Sequence, residues 1–261
     1  MSKTEAMYFP KPGEKADPEN TAYIQINENQ HFSYCTKFKY LGSIFTPDLK
    51  ENEDIKKRIS QAIKAFNSMK DVLTNQEIPV KTRIRIYDAT VINILLWGCE
   101  SWSITANLLQ KLEVCHHRFL CQMNRVTFYD VKEHHIKKEQ IRENLHNCYT
   151  MEQSMELRRA RCLEKLAHMD TTRGPRQLLQ AWIPQRRPKN KPQTTTKHSL
   201  AKTLIKLNIP TPMNDWIEMA KSQIYSTRIR AYPKHIPTIQ NTSISIQLRD
   251  TGQKRIVKYI L

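Results

Sequence analysis

The spacing of apolar residues along the chain changes near residue 48. Before that point, apolar residues occur in short runs and alternations, which predict strands over residues 4–9, 22–26 and 32–41. The segment NENQ at 27–30 has the composition of a hairpin turn between the last two strands. Three short strands with a single buried face need a second element to pack against.

From residue 50, apolar residues recur at every third or fourth position, which is the spacing of one helix face. The pattern predicts a first helix ending near residue 73, a second from Pro79 to Trp102, and a third over residues 106–125. Trp97 follows the same pattern and is predicted to be a core aromatic rather than a base-stacking surface. We expect these helices to form a bundle, packed through Ile59, Phe66, Tyr87, Leu95, Trp102, Leu112 and Phe119.

Shorter helical patterns follow a break at VTFYD, residues 126–130. They cover approximately 136–146, 151–169, 198–207 and 213–225. The intervening segment PQRRPKNKPQTTTKH has the Pro, Lys and Thr content of a linker. The chain is therefore predicted to be mainly α with a small N-terminal β element, an α+β arrangement.

Positive charge is concentrated in the second half of the chain. Residues 1–150 hold 21 Lys and Arg against 18 Asp and Glu, whereas residues 151–261 hold 21 against 7. The two halves thus carry +3 and +14 of the formal net charge of +17. This asymmetry is typical of proteins that bind a polyanion, most often nucleic acid, although a solvated basic surface or a basic tail is the alternative.

Neither a membrane span nor a secretion signal is predicted. The longest apolar run, from Val91 to Cys99, is interrupted by Asn93 and is far shorter than the roughly 20 residues of a transmembrane helix. The N-terminus lacks the apolar core of a signal peptide. We therefore expect an intracellular protein, nuclear or cytoplasmic, with its six cysteines reduced and no membrane partner.

Five short motifs occur in an order that is informative. They are SKTEAMYF at 2–9, FKYLGS at 38–43, YDATVINILLWGCESW at 87–102, LEVCHHRFLCQM at 112–123 and RRARCLEKLAHM at 158–169. In this order they resemble the end of the palm, the primer grip, the thumb helix, the helix after it and a downstream segment of reverse transcriptases from non-LTR, LINE-like retrotransposons. The resemblance covers roughly residues 2–183 and extends weakly to 226.

The resemblance implies a partner and an organisation. The partner of such enzymes is RNA and DNA in a primer–template duplex, and the strand that ends in Tyr-Leu-Gly belongs to a hairpin beside the primer 3′ end. The implied regions are a palm remnant with the primer-grip hairpin at 1–49, a three-helix thumb-like bundle at 50–127, a basic helical post-thumb region at 128–226 with a linker near 184–197, and a poorly ordered tail at 227–261. The candidate nucleic-acid-binding residues are Lys37, Lys39, Tyr40, Gly42, Lys56, Lys57, Lys64, Arg158, Arg159 and Arg161.

The catalytic carboxylates of that family are missing from this chain. Such polymerases hold two Mg²⁺ ions between carboxylates, two of which form an adjacent Asp-Asp pair that in the family precedes the position of Lys3. This chain has nine aspartates, and no two are adjacent. We therefore expect no catalytic residue, metal ligand or cofactor here, and a fragment that binds nucleic acid without polymerising. Ala167-His168 and Ser222-Gln223 also depart from the usual Gly-His and Asp-Arg, which suggests a fragment or a decaying copy.

The sequence also permits three other interpretations. Cys115 and Cys121, with the histidines between them, could suggest a zinc site, but six residues correspond to about 600° around a helix, so these thiols face apart. Asp48, Asp54 and Lys56 imitate a nuclease pattern, although acids at a helix start are more simply explained by the helix dipole. A domesticated helical protein-interaction module with no nucleic-acid role would need an exposed apolar patch.

Overall fold

The computed structural model describes residues 6–9, 23–27, 30–180, 196–210, 213–232, 244–246 and 257–259. Within these ranges the protein is mainly helical with small antiparallel β-hairpins, which confirms the predicted fold class. Most of the predicted linker near 184–197 and most of the predicted tail lie outside the described residues, and the last two linker residues belong to a helix that begins at Thr196.

Two hairpins precede the helices. β1 (Tyr23–Asn27) pairs with β2 (Gln30–Ser33) across the predicted turn, and β3 (Phe38–Tyr40) pairs with β4 (Ser43–Phe45). The predicted strand over 32–41 is therefore two strands, because the chain bends between Ser33 and Phe38. After β3 the chain reverses and pairs with it as β4. Of the predicted strand at 4–9, the described part contributes one parallel bridge, from Ala6 to Tyr34.

The predicted bundle is confirmed in its packing. Its described elements are α1 (Asn52–Ser68), α2 (Lys70–Thr74), α3 (Val80–Tyr87), a π-helical segment (Asp88–Ile92), α4 (Asn93–Leu95), a 3₁₀ turn (Cys99–Ser101) and α5 (Ala106–Met123). Six of the seven predicted core residues are buried, and Ile59 is half-buried against them. The rings of Phe66 and Phe119 stack with their centroids 4.5 Å apart at the centre of this core.

The second helix ends earlier than predicted. Gly98 has φ +78°, a left-handed conformation that stops a helix, and the chain passes through a 3₁₀ turn before Trp102. Trp97 lies in the turn before Gly98 and is 56% exposed. The prediction that Trp97 is a core aromatic was therefore wrong, because Trp97 lies four residues after the exposed Asn93 and so falls on the outer face of the helix.

The predicted break at VTFYD is itself the start of a helix. The turn lies at Asn124 and Arg125, and α6 (Phe128–Glu133) begins with a capping box between Thr127 and Asp130. The later elements are α7 (Lys138–Glu143), α8 (Met151–His168), α9 (Gly174–Gln180), α10 (Thr196–Lys206), α11 (Met213–Lys221), α12 (Gln223–Arg230), β5 (Ile244–Ile246) and β6 (Val257–Tyr259).

Two buried clusters are joined by one helix. The first extends from α1 to the beginning of α8, where Met151 and Met155 are buried. The second consists of the rest of α8 and residues of α10, α11 and α12. The first core thus continues past the predicted boundary at 127, and α12 continues across the predicted boundary at 226. Within the described ranges, no helix has both the length and the apolar character needed to cross a bilayer.

Candidate nucleic-acid interface

The β3–β4 hairpin has a tip of two residues with left-handed backbone. Tyr40 pairs with Ser43, and between them Leu41 has φ +46° and Gly42 has φ +91°. Positive φ at both central positions is the geometry of a type I′ turn, which matches the right-handed twist of the strands. Glycine fits the second position, whereas leucine at the first position is strained.

Helix α1 holds this hairpin tip with three side chains, two adjacent and one a turn earlier. Lys57 Nζ and Arg58 Nη2 both donate to the Gly42 carbonyl oxygen, at 3.0 and 2.7 Å. The Asp54 carboxylate accepts the backbone N–H of Ile44 at 3.0 Å and lies 3.7 Å from Arg58 Nε. Asp54 and Arg58 are buried, because they occupy the face of α1 that the hairpin covers. The tip is therefore fixed on a rigid helix.

The turn that follows α4 contacts the hairpin as well. A Cβ added to Gly42 would lie 3.6 Å from Trp97 Nε1, and a Cβ added to Gly98 would lie 3.5 Å from Ser43 Oγ. Both distances are ordinary contacts, so the positive φ of the two glycines, rather than lack of space, requires glycine there. Three segments that are far apart in the sequence thus meet at the tip.

Positive charges are crowded beside the tip. Burial lowers the pKa of the Lys57 ammonium, and the nearby charges of Lys39 and Arg58 lower it further, while Asp54 opposes them. Lys39 is exposed, and the Asp54 carboxylate is already engaged by Ile44 and Arg58. Cations that repel each other in this way favour the approach of an anion such as a phosphate.

Two other predicted cations share a carboxylate. Lys37 Nζ and Lys56 Nζ both lie 2.7 Å from the Glu53 carboxylate, which holds the pKa of Glu53 at about 2. These exposed pairs link the residue before β3 to the first turns of α1. Lys64 is exposed further along the same helix.

The three predicted arginines of α8 form a separate group. Arg158 donates to the side chain of Asn93, and Arg161 is exposed. Arg159 is buried, and its guanidinium donates to the Trp102 carbonyl at 2.8 Å. Its position indicates a structural role, joining α8 to the chain after the 3₁₀ turn.

The residues of the two alternative sites also have defined partners. Asp48 accepts from the Thr46 hydroxyl at 2.6 Å, and Lys56 is paired with Glu53. His116 is buried between Tyr87 and Tyr149, whereas His117 Nε2 lies 3.6 Å from Cys121 Sγ. In the parts of the chain that the structure describes, no three His, Cys, Asp or Glu side chains converge as a metal site would require.

Sequence reasoning missed three residues of this interface. The sequence pattern puts Arg58 beside the apolar stripe of α1 and Asp54 among its first-turn acids, and their spacing of four residues was the signal for a shared face. The apolar pattern predicts Trp97 in the core, although its spacing of four residues from the polar Asn93 was a signal for the outer face of the helix.

One relative supports a transposon origin. The chain is 23% identical over 127 residues to a protein of Caenorhabditis elegans described as transposon-derived. The aligned segment covers 49% of this chain and 45% of the relative, so the chain spans less than half the length of that protein. No family model matches the sequence, and no solved structure matches the chain.

Proposed function

We propose that this chain is the C-terminal part of a non-LTR retrotransposon reverse transcriptase and that it binds primer–template nucleic acid through the β3–β4 hairpin and α1. The transposon-derived relative supports the origin, and the five motifs in order support the finer assignment. The observation that carries the binding function is the crowding of Lys39, Lys57 and Arg58 around an exposed hairpin tip.

The chemistry of this surface suits a phosphate backbone. Lys39 and Lys57 offer ammonium groups beside the tip, and Lys64 continues the positive charge along α1. Ammonium–phosphate contacts are independent of base sequence and release condensed counterions. Arg159 is not included in the proposal, because its guanidinium is buried against Trp102.

Salt-dependent binding tests the proposal. Binding of the full chain to two oligonucleotides of unrelated sequence would be measured by fluorescence anisotropy at several salt concentrations. We expect similar Kd values and a steep salt response, and we expect Lys39→Glu to weaken binding and reduce the slope by about one counterion unit. Lys111→Glu, at an exposed position of α5, is the control for net charge. A flat salt response, or equal effects of the two variants, would contradict the proposal.

The proposal does not include polymerisation by this chain. Its nine aspartates include no adjacent pair of the kind that holds the two metal ions in such polymerases. A primer-extension assay on an RNA template, with Mg²⁺ and all nucleotides, is expected to show no product. Product that survives repurification would show that the assignment of this chain is incomplete.

A helical protein-interaction module is the second candidate function. Phe128 and Tyr129 are 85% and 67% exposed at the start of α6, which is an unusual position for two adjacent aromatic rings. If protein interaction is the function, the parent chain should not bind nucleic acid. The double variant Phe128→Ser, Tyr129→Ser should then lose binding to its protein partner.

A further inference from the structure

We infer that Trp97 and the tip residue Leu41 form a stacking site for an unpaired nucleobase, so that the hairpin binds a single-stranded or frayed end in preference to a closed duplex. This inference rests on the proposed function and names the form of nucleic acid that the same surface takes.

The first observation is the exposed indole at the hairpin tip. Trp97 is 56% exposed, whereas Trp102 and Trp216 are each only 4% exposed. Its Nε1 lies 3.6 Å from the position of a Cβ on Gly42, so one edge of the ring is fixed against the tip. A large aromatic side chain that contacts the tip at one ring atom and is more than half exposed is suited to stack on a base.

The second observation is the strained leucine at the tip. Leu41 is 79% exposed and has φ +46°, in a turn position where asparagine is strongly preferred. The side chain of Leu41 therefore contributes little buried apolar surface to folding, and a leucine at this position is energetically unfavourable for the backbone. A strained, exposed apolar residue at the end of a hairpin is better explained by a contact outside the chain than by folding.

The aromatic and apolar groups lie on a defined side of the hairpin. Side chains of directly paired strand residues share one face, so Tyr40 and Ser43 point to the same side. Ser43 Oγ lies near Gly98 on that side, which places the turn containing Trp97 beside the face that carries Tyr40. Tyr40 is itself 56% exposed and can flank the same base.

The neighbouring cations complete the site. Lys57 Nζ donates directly to the Gly42 carbonyl at the tip. The exposed Lys39 lies close enough to this ammonium group to lower the pKa of Lys57. A nucleotide whose base stacks on Trp97 can therefore place its phosphate near these ammonium groups. In a closed duplex the base faces are already stacked on one another, so only the phosphate contact would remain.

Tryptophan fluorescence and affinity test the inference together. The full chain would be titrated with a single-stranded oligonucleotide, a blunt duplex, and a duplex with a short single-stranded end, all at one salt concentration. We expect the single-stranded forms to quench the emission and to bind more tightly than the blunt duplex. Trp97→Leu should remove the quenching and weaken single-strand binding about 5- to 100-fold, with little effect on the blunt duplex. Trp97→Phe should retain part of the affinity.

Leu41→Asn provides a second variant, with a residue that suits the backbone conformation at this position. We expect it to raise thermal stability, because asparagine tolerates the left-handed backbone, and to weaken single-strand binding. Phe128→Leu, which changes an exposed aromatic on α6, is the control and should change neither property.

The outcomes separate the two proposals. If Trp97→Leu and Leu41→Asn bind all three oligonucleotides as the parent chain does, while Lys39→Glu weakens binding, the stacking site is wrong and the proposed function stands. Equal affinity of the parent chain for single strand and blunt duplex would also overturn the stacking site. If no oligonucleotide binds in a salt-dependent way, the proposed function itself is wrong.

Discussion

Arg83 shows how one buried side chain joins three chain segments. Its guanidinium donates to the carbonyls of Leu73 at 3.3 Å, Ile78 at 3.1 Å and Met123 at 2.9 Å. Leu73 and Met123 lie at the C-terminal ends of α2 and α5, where helix carbonyls lack partners within the helix and carry partial negative charge. Burial lowers the pKa of Arg83, and the charge of Arg125 adds to this effect.

Replacing Arg83 should therefore destabilise the bundle. In Arg83→Met the carbonyls of Leu73 and Ile78 lose this donor, whereas the Met123 carbonyl keeps the Gln76 side-chain amide at 3.1 Å. Each buried group left without a partner costs about 1–3 kcal/mol. We expect the free energy of unfolding to fall by about 3 kcal/mol in urea denaturation. Arg85→Met, at an exposed position of the same helix, should change it by less than about 0.5 kcal/mol. Equal effects of the two variants would show that the network around Arg83 contributes nothing.

His116 is a buried histidine held neutral by its surroundings. Its Nε2 donates to the Tyr149 carbonyl at 3.1 Å, so its Nδ1 accepts the Tyr87 hydroxyl at 2.7 Å. Desolvation lowers the pKa of His116 to about 3, despite the opposing effect of the Tyr149 carbonyl. In the unfolded chain the same side chain takes up a proton near its usual pKa of about 6.5.

Stability should therefore decrease as the pH falls below 6.5. Below pH 6.5 the His116 side chain binds a proton in the unfolded state but stays neutral in the folded state. Its contribution to the free energy of unfolding is therefore complete above pH 6.5 and is lost progressively towards pH 3. Between pH 6.5 and 4 the loss is about 3 kcal/mol. His116→Gln keeps one donor and one acceptor but cannot ionise, so its unfolding free energy should fall less over this range. His168→Gln is the control and should retain the parent slope; identical slopes for all three proteins would contradict the assignment.

At the scale of elements, the side chains that connect the hairpin to α1 include cations, which attract an anion, and a carboxylate, which repels it. Lys57 and Arg58 hold the tip and present positive charge, whereas Glu53 neutralises Lys37 and Lys56 in front of the same hairpin. Because its pKa is about 2, Glu53 remains ionised throughout the neutral range. The pairing therefore limits the positive charge that the interface offers.

Removing this carboxylate should strengthen nucleic-acid binding. In Glu53→Gln the two lysines are released and the repulsion of phosphate by the carboxylate is lost, so we expect affinity to rise about two- to fivefold at low salt and the gain to vanish at high salt. Anisotropy titrations at two ionic strengths measure this. Glu133→Gln on α6 makes the same change in net charge and serves as the control. A decrease in affinity would contradict the prediction, since it would show that the nucleic acid does not bind next to the Glu53 carboxylate on α1.

At the scale of the whole molecule, α8 belongs to both buried clusters. Its N-terminus is capped by its own Thr150 and by the Glu113 carboxylate of α5, which accepts the Met151 N–H at 2.7 Å. Its first turn also contacts α10, where Lys206 Nζ lies 3.0 Å from the Glu152 carboxylate, and its middle contacts α12, where the Tyr225 hydroxyl donates to the Ala160 carbonyl at 2.9 Å. A helix shared in this way links the stability of the two cores.

The two cores should therefore unfold together. Leu112→Ala in the first core and Leu163→Ala in the second each remove a fully buried side chain, which costs about 2–5 kcal/mol. We expect either variant to lower the midpoint of a single transition, seen at the same denaturant concentration by far-ultraviolet circular dichroism and by tryptophan fluorescence. A variant that shifts only one of two separated transitions would show that α8 does not couple the cores.

Local patterns in the sequence determined much of this fold. The apolar spacing of α1, α5 and α8, together with the caps at Thr105 and Thr150, specifies these helices because helix periodicity and capping act over a few residues. The Gly42 turn and the basic character of the neighbouring strand and helix were equally visible in the sequence. Each of these features depends on residues that are close together along the chain.

The tertiary structure alone decided which cations are free and which aromatics are buried. Lys37 is paired with a carboxylate 16 residues away, Arg159 is buried against the Trp102 carbonyl, and Trp97 lies on the exposed side of its helix, beside the hairpin tip. Charge and hydrophobicity are properties of a single residue. Exposure and pairing depend on which distant segment packs against that residue, so only the folded chain distinguishes an unneutralised lysine from a paired one and an exposed tryptophan from a core residue.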